Sequence, residues 1–519
     1  MSDIMRPVPF EELINRISGE YRNQNSIFGL SKDQFFKDER KKSNKVFTQS
    51  STTCVGPAAG PHTQLAQNIV VSYLAGARFI ELKTVQIMDT LEIAKPCIDA
   101  RDEGYNVEWS TEYTLEKAWD EYAKAWIICH LIESVMNGGK ITEPTFIFNM
   151  SVGYDLKGIK TPKMQNFIDS MMDANKNPKF KEYLEELDAF IKDKDLFAGS
   201  DWAGMEDKLA ALPKSISNKI CESVTLSTMH GCPPKEIEAI CNYMLTEKNI
   251  DTFVKLNPTL LGYDKVREIL DGLGYDYLHL SKESFEKDLQ YNDAIAMLHR
   301  LVNVAKEKGR GFGVKLTNTL GSVNDQGELP GDEMYASGRA LMPISVNVAA
   351  KISTEFDGTL PVSYSGGANA LTITDIFDTG IRPITVATDM LHPGGYARMA
   401  QMARILERNT NWDMDKIDVE KLNLLAKTCL SNKYLDKAFR GTDKVDVEGQ
   451  LPLFDCYVAP CQEACPIQQD IPDYVALMAE GKFAEALTVI YMKNPLPAIT
   501  GNICDHQCQN HCTRKDYEG

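Results

Sequence analysis

No run in this chain approaches the roughly 18 consecutive apolar residues of a membrane-spanning helix. The start, MSDIMRPVPFEELINR, has no apolar core after its charges and so is not a signal peptide. Positive charge is scarce: 56 Lys and Arg stand against 73 Asp and Glu, a formal net charge of −17. A nucleic-acid surface needs a clustered positive field, which this balance argues against. No short internal repeat is present. The spaced glycines of GRGFGV, from Gly309, enter a strand, whereas a dinucleotide fingerprint leaves one and opens a helix. That stretch is a turn, and no NAD(P)H fingerprint is visible elsewhere. The absences predict a soluble, cytoplasmic protein with neither nucleic acid nor membrane as a partner. What is present is a 519-residue chain, 43% hydrophobic, enough for one large domain and a small one.

Cysteine is concentrated at one end. Of 13 cysteines, six fall in two short runs, DCYVAPCQEACPIQQDIP and GNICDHQCQNHCTRKDYEG. Cys456, Cys461 and Cys465 read C-x4-C-x3-C-P; Cys504, Cys508 and Cys512 read C-x3-C-x3-C. In a reducing compartment, clustered cysteines are metal ligands or redox groups rather than disulfides. Structural zinc takes paired knuckles with four ligands per ion, and six cysteines do not divide that way. A run closed by Cys-Pro suits iron–sulfur ligation, so [4Fe–4S] is favoured over zinc. Between the runs, apolar residues recur with helical spacing at Ile471, Tyr474, Val475 and Met478, then at Ala484, Leu487, Ile490 and Tyr491. Two short helices would fold the second run back onto the first. Six of the other seven cysteines, Cys54, Cys97, Cys129, Cys221, Cys241 and Cys429, read as small buried apolar residues.

The rest of the chain alternates β-rich and helical segments. VFTQSSTTCVG, RFIELKTV, TFIFNMSV, ESVTLSTM, TFVKLNPT, GFGVKLTN, LPVSYSGG and PITVATDM are eight candidate strands. Alternating units of this kind imply a parallel sheet, and eight of them predict an α/β TIM (β/α)8 barrel over 46–410. A doubly wound sheet is the alternative. An extension over 1–45 precedes the barrel, a helical insertion occupies 175–219, a linker spans 411–450, and a small helical iron–sulfur domain spans 451–519. Chemistry in a barrel sits at the C-terminal strand ends. There the sequence offers small residues in GPAAGPHT and polar residues at Lys83, Thr84, Asn149, Lys255, Asn318 and Thr319. Glycines at the seventh strand end and Thr388 at the eighth suit a phosphate held on backbone N–H groups.

These strand ends, LKT, FVKLNPT, TNT and SGG, resemble the dihydroorotate dehydrogenase family, in particular the FMN domain of dihydropyrimidine dehydrogenase. The resemblance implies FMN, with Ala58 and Ala59 beside the ring and Lys83, Thr84 and Lys255 at its polar edge. Asn149 joins that set, Asn318 and Thr319 contact the ring or ribityl chain, and Gly366, Gly367 and Thr388 hold the phosphate. It departs at the fourth strand, where that enzyme's acidic cysteine is replaced by Thr228. His230 and Cys232 are then the candidate acids. Similarly, NPLPAITGNICDHQCQNHCTR resembles the iron–sulfur module of dihydropyrimidine dehydrogenase and of the glutamate synthase small subunit. That implies two [4Fe–4S] clusters, one on Cys456, Cys461 and Cys504, the other on Cys465, Cys508 and Cys512. A further family cysteine is replaced by Leu453, so one cluster lacks an evident fourth ligand. The family's module runs on into FAD and NAD(P)H domains, which implies a C-terminally truncated chain with both cofactors in the missing part.

Module order, with MRPVPFEELINRI at the start and LPLFDCYVAPC at the junction, resembles large flavin/iron–sulfur proteins of anaerobic bacteria named as selenate reductase subunits. Selenate chemistry normally needs molybdenum, and no such centre is visible. Three readings follow. The first is reduction of a small nucleobase-like heterocycle, a pyrimidine or oxidised purine, by electrons passed from NAD(P)H through FAD and [4Fe–4S] to FMN. The second is an electron-transfer subunit serving a selenate reductase or a molybdenum-hydroxylase-type redox partner. The third is a non-enzymatic assembly platform.

Overall fold

The computed structural model describes residues 7–40, 42–88, 91, 93–94, 96–100, 103–107, 110–193, 197–227, 230–325, 327, 329–392, 394–439 and 459–510. Each of the eight apolar runs forms a strand of one parallel sheet: Val55–Pro57, Phe79–Glu81, Ile147–Val152, Cys221–Ser227, Asp251–Leu256, Phe312–Leu316, Val362–Ser365 and Ile384–Val386. Neighbours in the sheet follow chain order, except that the first strand pairs with the eighth. The Arg78 N–H donates to the Val55 carbonyl at 3.0 Å, which brings the second strand against the first and closes a TIM barrel. Gly56 is required at this seam, because a Cβ there would lie 1.7 Å from the Phe79 carbonyl oxygen. Nearly all strand residues are buried, because helices cover the sheet's outer face.

The crossover helices include Ala66–Leu74, Leu115–Met136, Pro234–Tyr243, Tyr291–Lys308, Met342–Glu355 and Ala397–Arg408. Thr114 caps the longest of them, its hydroxyl accepting from the Lys117 N–H. The expected excursion is helical, with Pro178–Lys192 as its main element. Residues expected as flanks belong to the barrel's packing. Helix Phe10–Gln24 buries Phe10, Leu13, Ile14, Ile17 and Tyr21 in the main core. Within the expected 411–450 linker, helix Val419–Thr428 packs on Met342–Glu355, and Trp412, Leu422 and Leu435 join the same core. The segment is a structural part of the barrel as far as its described residues extend.

A second sheet was not anticipated. Strands Ile98–Asp99, Gly104–Asn106, Leu320–Val323 and Glu333–Ser337 form an antiparallel sheet of four. They come from the excursions after the second and sixth barrel strands, and they lie over the C-terminal mouth. At the other end of the chain, helices Ile471–Ala479 and Phe483–Lys493 pack on each other, and the short helices Pro460–Glu463 and Gln507–Asn510 meet. The second cysteine run therefore does return to the first. Among the described residues no helix is long and apolar enough to cross a membrane.

Candidate functional site at the barrel mouth

A cavity of about 470 Å³ opens between the strand ends and the four-stranded sheet. It is within the size range of small-molecule and cofactor pockets. Ten of the eleven candidate cofactor residues line it: Ala58, Ala59, Lys83, Thr84, Lys255, Asn318, Thr319, Gly366, Gly367 and Thr388. Asn149 is the exception. Its amide lies inside the barrel, donating to the Thr225 hydroxyl at 2.8 Å and accepting from the Ser223 hydroxyl at 2.8 Å. Strand alternation turns it inward, below the mouth. The upper sheet adds Tyr105, Asn106, Glu333 and Tyr335, none of which the sequence pattern marked.

One side of the cavity is a small-residue cradle. Gly367 has φ +72°, and a Cβ there would lie 1.9 Å from the Gly338 carbonyl oxygen, so only glycine fits. The Ser337 and Thr388 hydroxyls meet at 2.8 Å beside it. Asp389 also lines the cavity, bonded to Arg398 at 2.7 Å. Burial pushes its carboxyl up to about 6, against the pull of Arg398, which lessens its repulsion of an anion in the cradle.

The floor is cationic. Lys255 is half-buried; desolvation pushes its ammonium down, Glu81 draws it back up, and the like charge of Lys83 lowers it again. Below lies a pair the sequence reading passed over. Lys315, on the sixth strand, reaches across the barrel to Glu81 on the second at 2.9 Å, both fully buried. Lys315 also donates to Ser363 at 3.1 Å and Thr385 at 2.8 Å. Glu81 accepts the Ala59 N–H at 3.2 Å, tying this polar plug to the loop beside the cavity. A lysine in the middle of the apolar run GFGVKLTN was the available signal.

The three catalytic candidates after the fourth strand fare differently. Thr228 lies outside the described residues. His230 lines the main cavity, whereas Cys232 lines a second, smaller cavity of about 240 Å³ that shares Ser227 and His230. Burial first, and then the charges of Glu236, Asp288 and Asp155, push the Cys232 thiol up to about 11. His230 Nδ1 lies 3.1 Å from Asp288, and its ring stacks on Tyr335 at 5.8 Å. Burial alone would raise the Asp288 carboxyl, but hydrogen bonds from His230 and Thr259, the His230 charge and the Gly231 N–H hold it at about 2. A depressed carboxylate stabilises the fold above its unfolded value near 4, and that stability is lost as pH falls through about 2. Wild type is therefore expected to lose roughly 2 kcal/mol of stability over that interval that Asp288→Asn does not lose. Parallel acid-unfolding curves for the two proteins would refute this.

In the C-terminal segment, Cys461, Cys465 and Cys508 are half-buried and Cys504 is exposed. Tyr474 stands among them: burial raises its hydroxyl, and so does the negative charge those four sulfurs would carry. Cys504 also accepts the His506 N–H at 3.3 Å. Among the described residues no three His, Cys, Asp or Glu side chains are grouped to hold one ion. Cys456, Cys512 and Leu453 lie outside those residues. The cysteines flank the helical hairpin rather than sit on it, and thiols are the donor chemistry that an iron–sulfur cluster takes.

Known proteins match both regions. Residues 28–437 match the family model for the N-terminal TIM-barrel domain of oxidoreductase YgfK. Residues 447–519 match that for dihydropyrimidine dehydrogenase domain II, 4Fe–4S cluster. Oxidoreductase YgfK of Escherichia coli K12 is 58% identical over 521 residues, covering 100% of this chain and 50% of that protein. The chain thus spans half the length of that relative. Subunit beta of the NADPH-Fe(3+) oxidoreductase of Geobacter sulfurreducens is 42% identical over 66 residues, 13% of this chain and 10% of that one. Among solved structures, DHODH of Eimeria tenella in complex with ferulenol aligns with TM-score 0.42 and 13% identity over 77% of this chain and 91% of that one, too distant to carry weight. With a family model spanning most of its length and a close relative covering all of it, the chain belongs to the YgfK oxidoreductases, a TIM barrel joined to a 4Fe–4S domain.

Proposed function

We propose that the barrel mouth binds FMN and that the protein reduces a planar, nucleobase-like heterocycle with electrons delivered through its iron–sulfur domain. One observation carries this reading: the cavity gathers from separate strand ends the small residues, lysines, amides and glycine cradle that a flavin mononucleotide requires. The donor chemistry fits. Gly366, Gly367 and Thr388 would take the phosphate, Asn318 and Thr319 the ribityl chain or ring, and Ala58 and Ala59 would allow close approach of the flat ring. Lys83 and Lys255 would favour the anionic reduced flavin. A bound flavin would supply hydride to a ring carbon. The chain's own part is to orient the substrate, exclude water beneath the upper sheet, and give a proton from His230.

NAD(P)H and FAD acting upstream are part of the proposal. NADPH in the name of the Geobacter relative supports that direction of flow. The whole protein, purified anaerobically, is expected to contain iron and acid-labile sulfide, and dihydropyrimidines or reduced purines are expected to reduce its flavin. Zinc in place of iron after anaerobic reconstitution would refute the cluster assignment. Cofactors reduced by NAD(P)H but by no dihydro-heterocycle would favour instead an electron-transfer subunit for a molybdenum-containing partner.

A further inference from the structure

We infer that Asp288 is the positioning residue that holds the His230 ring as proton donor to the substrate, an inference that rests on the flavin-dependent reading above. Asp288 follows helix Lys282–Lys287, far from any barrel strand end in sequence, yet its side chain is 2% exposed and lies beside the mouth. One oxygen accepts from the Thr259 hydroxyl at 2.6 Å and the Asn257 amide at 2.8 Å, and stands 3.1 Å from His230 Nδ1. The other accepts the Gly231 and Leu289 N–H groups at 3.1 Å and 3.0 Å. So many donors around one buried group mark an ionised carboxylate, which has no proton of its own to give.

Two consequences follow from an acceptor-only Asp288. His230 must carry its hydrogen on Nδ1, which leaves Nε2 as the atom that gains and releases a proton. In the proposed step His230 arrives doubly protonated. It would release the Nε2 proton to the substrate atom made basic as the ring accepts a hydride. Hydride and proton together add two hydrogens, and His230 is left neutral with Nδ1–H still on Asp288. The second consequence concerns the amides. Asn257 gives its NH2 to Asp288, so its oxygen faces Asn318, whose NH2 donates to it at 2.6 Å. The same carboxylate thus sets the orientation of His230 and of the cavity-lining Asn318.

The test is the tautomer of His230 in the whole protein labelled with ¹⁵N-histidine, its signal identified by loss in His230→Gln. Neutral His230 is expected as the Nδ1–H form in wild type and as the Nε2–H form in Asp288→Asn. Asp288→Asn is also expected to keep bound flavin and lose on the order of 10–100-fold in kcat with little change in KM. An Nε2–H tautomer in wild type, which needs no substitution to observe, would overturn the inference. So would an Asp288→Asn protein with wild-type tautomer and kcat. The tautomer is read without cofactor, so the two failures separate: wild type that binds no flavin removes the reaction itself, and the inference with it.

Discussion

Replacing Lys315 with methionine is expected to destabilise the barrel by about 3–5 kcal/mol, the usual effect of removing one partner from a buried ion pair. The reason is Glu81, fully buried, whose carboxylate would lose its 2.9 Å partner. The ammonium also serves Ser363 and Thr385, so two hydroxyls would lose a donor's company at once. The penalty lies in the charge left behind, not in the pair's intrinsic worth. Replacing both residues, Glu81→Met with Lys315→Met, is therefore expected to recover most of the lost stability. Denaturant midpoints of wild type, single and double variants measure this. A single variant that unfolds with wild type would show that the pair is not buried as described. Glu81 also holds the Ala59 N–H, so the single variant should loosen flavin binding as well.

The second large effect is on turnover. His230→Ala is expected to slow heterocycle reduction by on the order of 10²–10⁴, the usual contribution of a positioned general acid. Flavin should remain bound, since the candidate phosphate and ring contacts come from other strand ends. Cys232→Ser is expected to leave the rate near wild type, because Cys232 lines the smaller neighbouring cavity rather than the main one. The reverse outcome, a slow Cys232→Ser and an active His230→Ala, would move the acid to the thiol.

Much of the barrel was legible in the sequence because its strands are buried on both faces. Runs such as TFIFNMSV and ESVTLSTM then appear as short segments rich in β-branched and aromatic residues between helical ones. Polar residues at their ends stood out for the same reason, and ten of the cofactor candidates do line one cavity. Asn149 was misplaced because alternation turns its side chain into the barrel. The upper sheet was illegible because its strands hold two to five residues each and pair only through tertiary register, as in Tyr335 opposite Asn106. Helix Val419–Thr428 falls in the stretch expected as a linker, and its packing on Met342–Glu355 places Leu422 in the core. Asp288 carries no local signal at all: it gains its role from His230, 58 positions away.

Flavin binding by the barrel is the most direct test. Protein purified anaerobically and incubated with FMN should bind one equivalent, read by quenching of flavin fluorescence and by the absorbance of the retained chromophore. Lys83→Ala should weaken that binding or make the bound flavin harder to reduce, with the fold intact. Gly367→Val should abolish binding, because its side chain cannot coexist with the Gly338 carbonyl. Wild-type protein that is folded yet retains no FMN under these conditions would contradict the account.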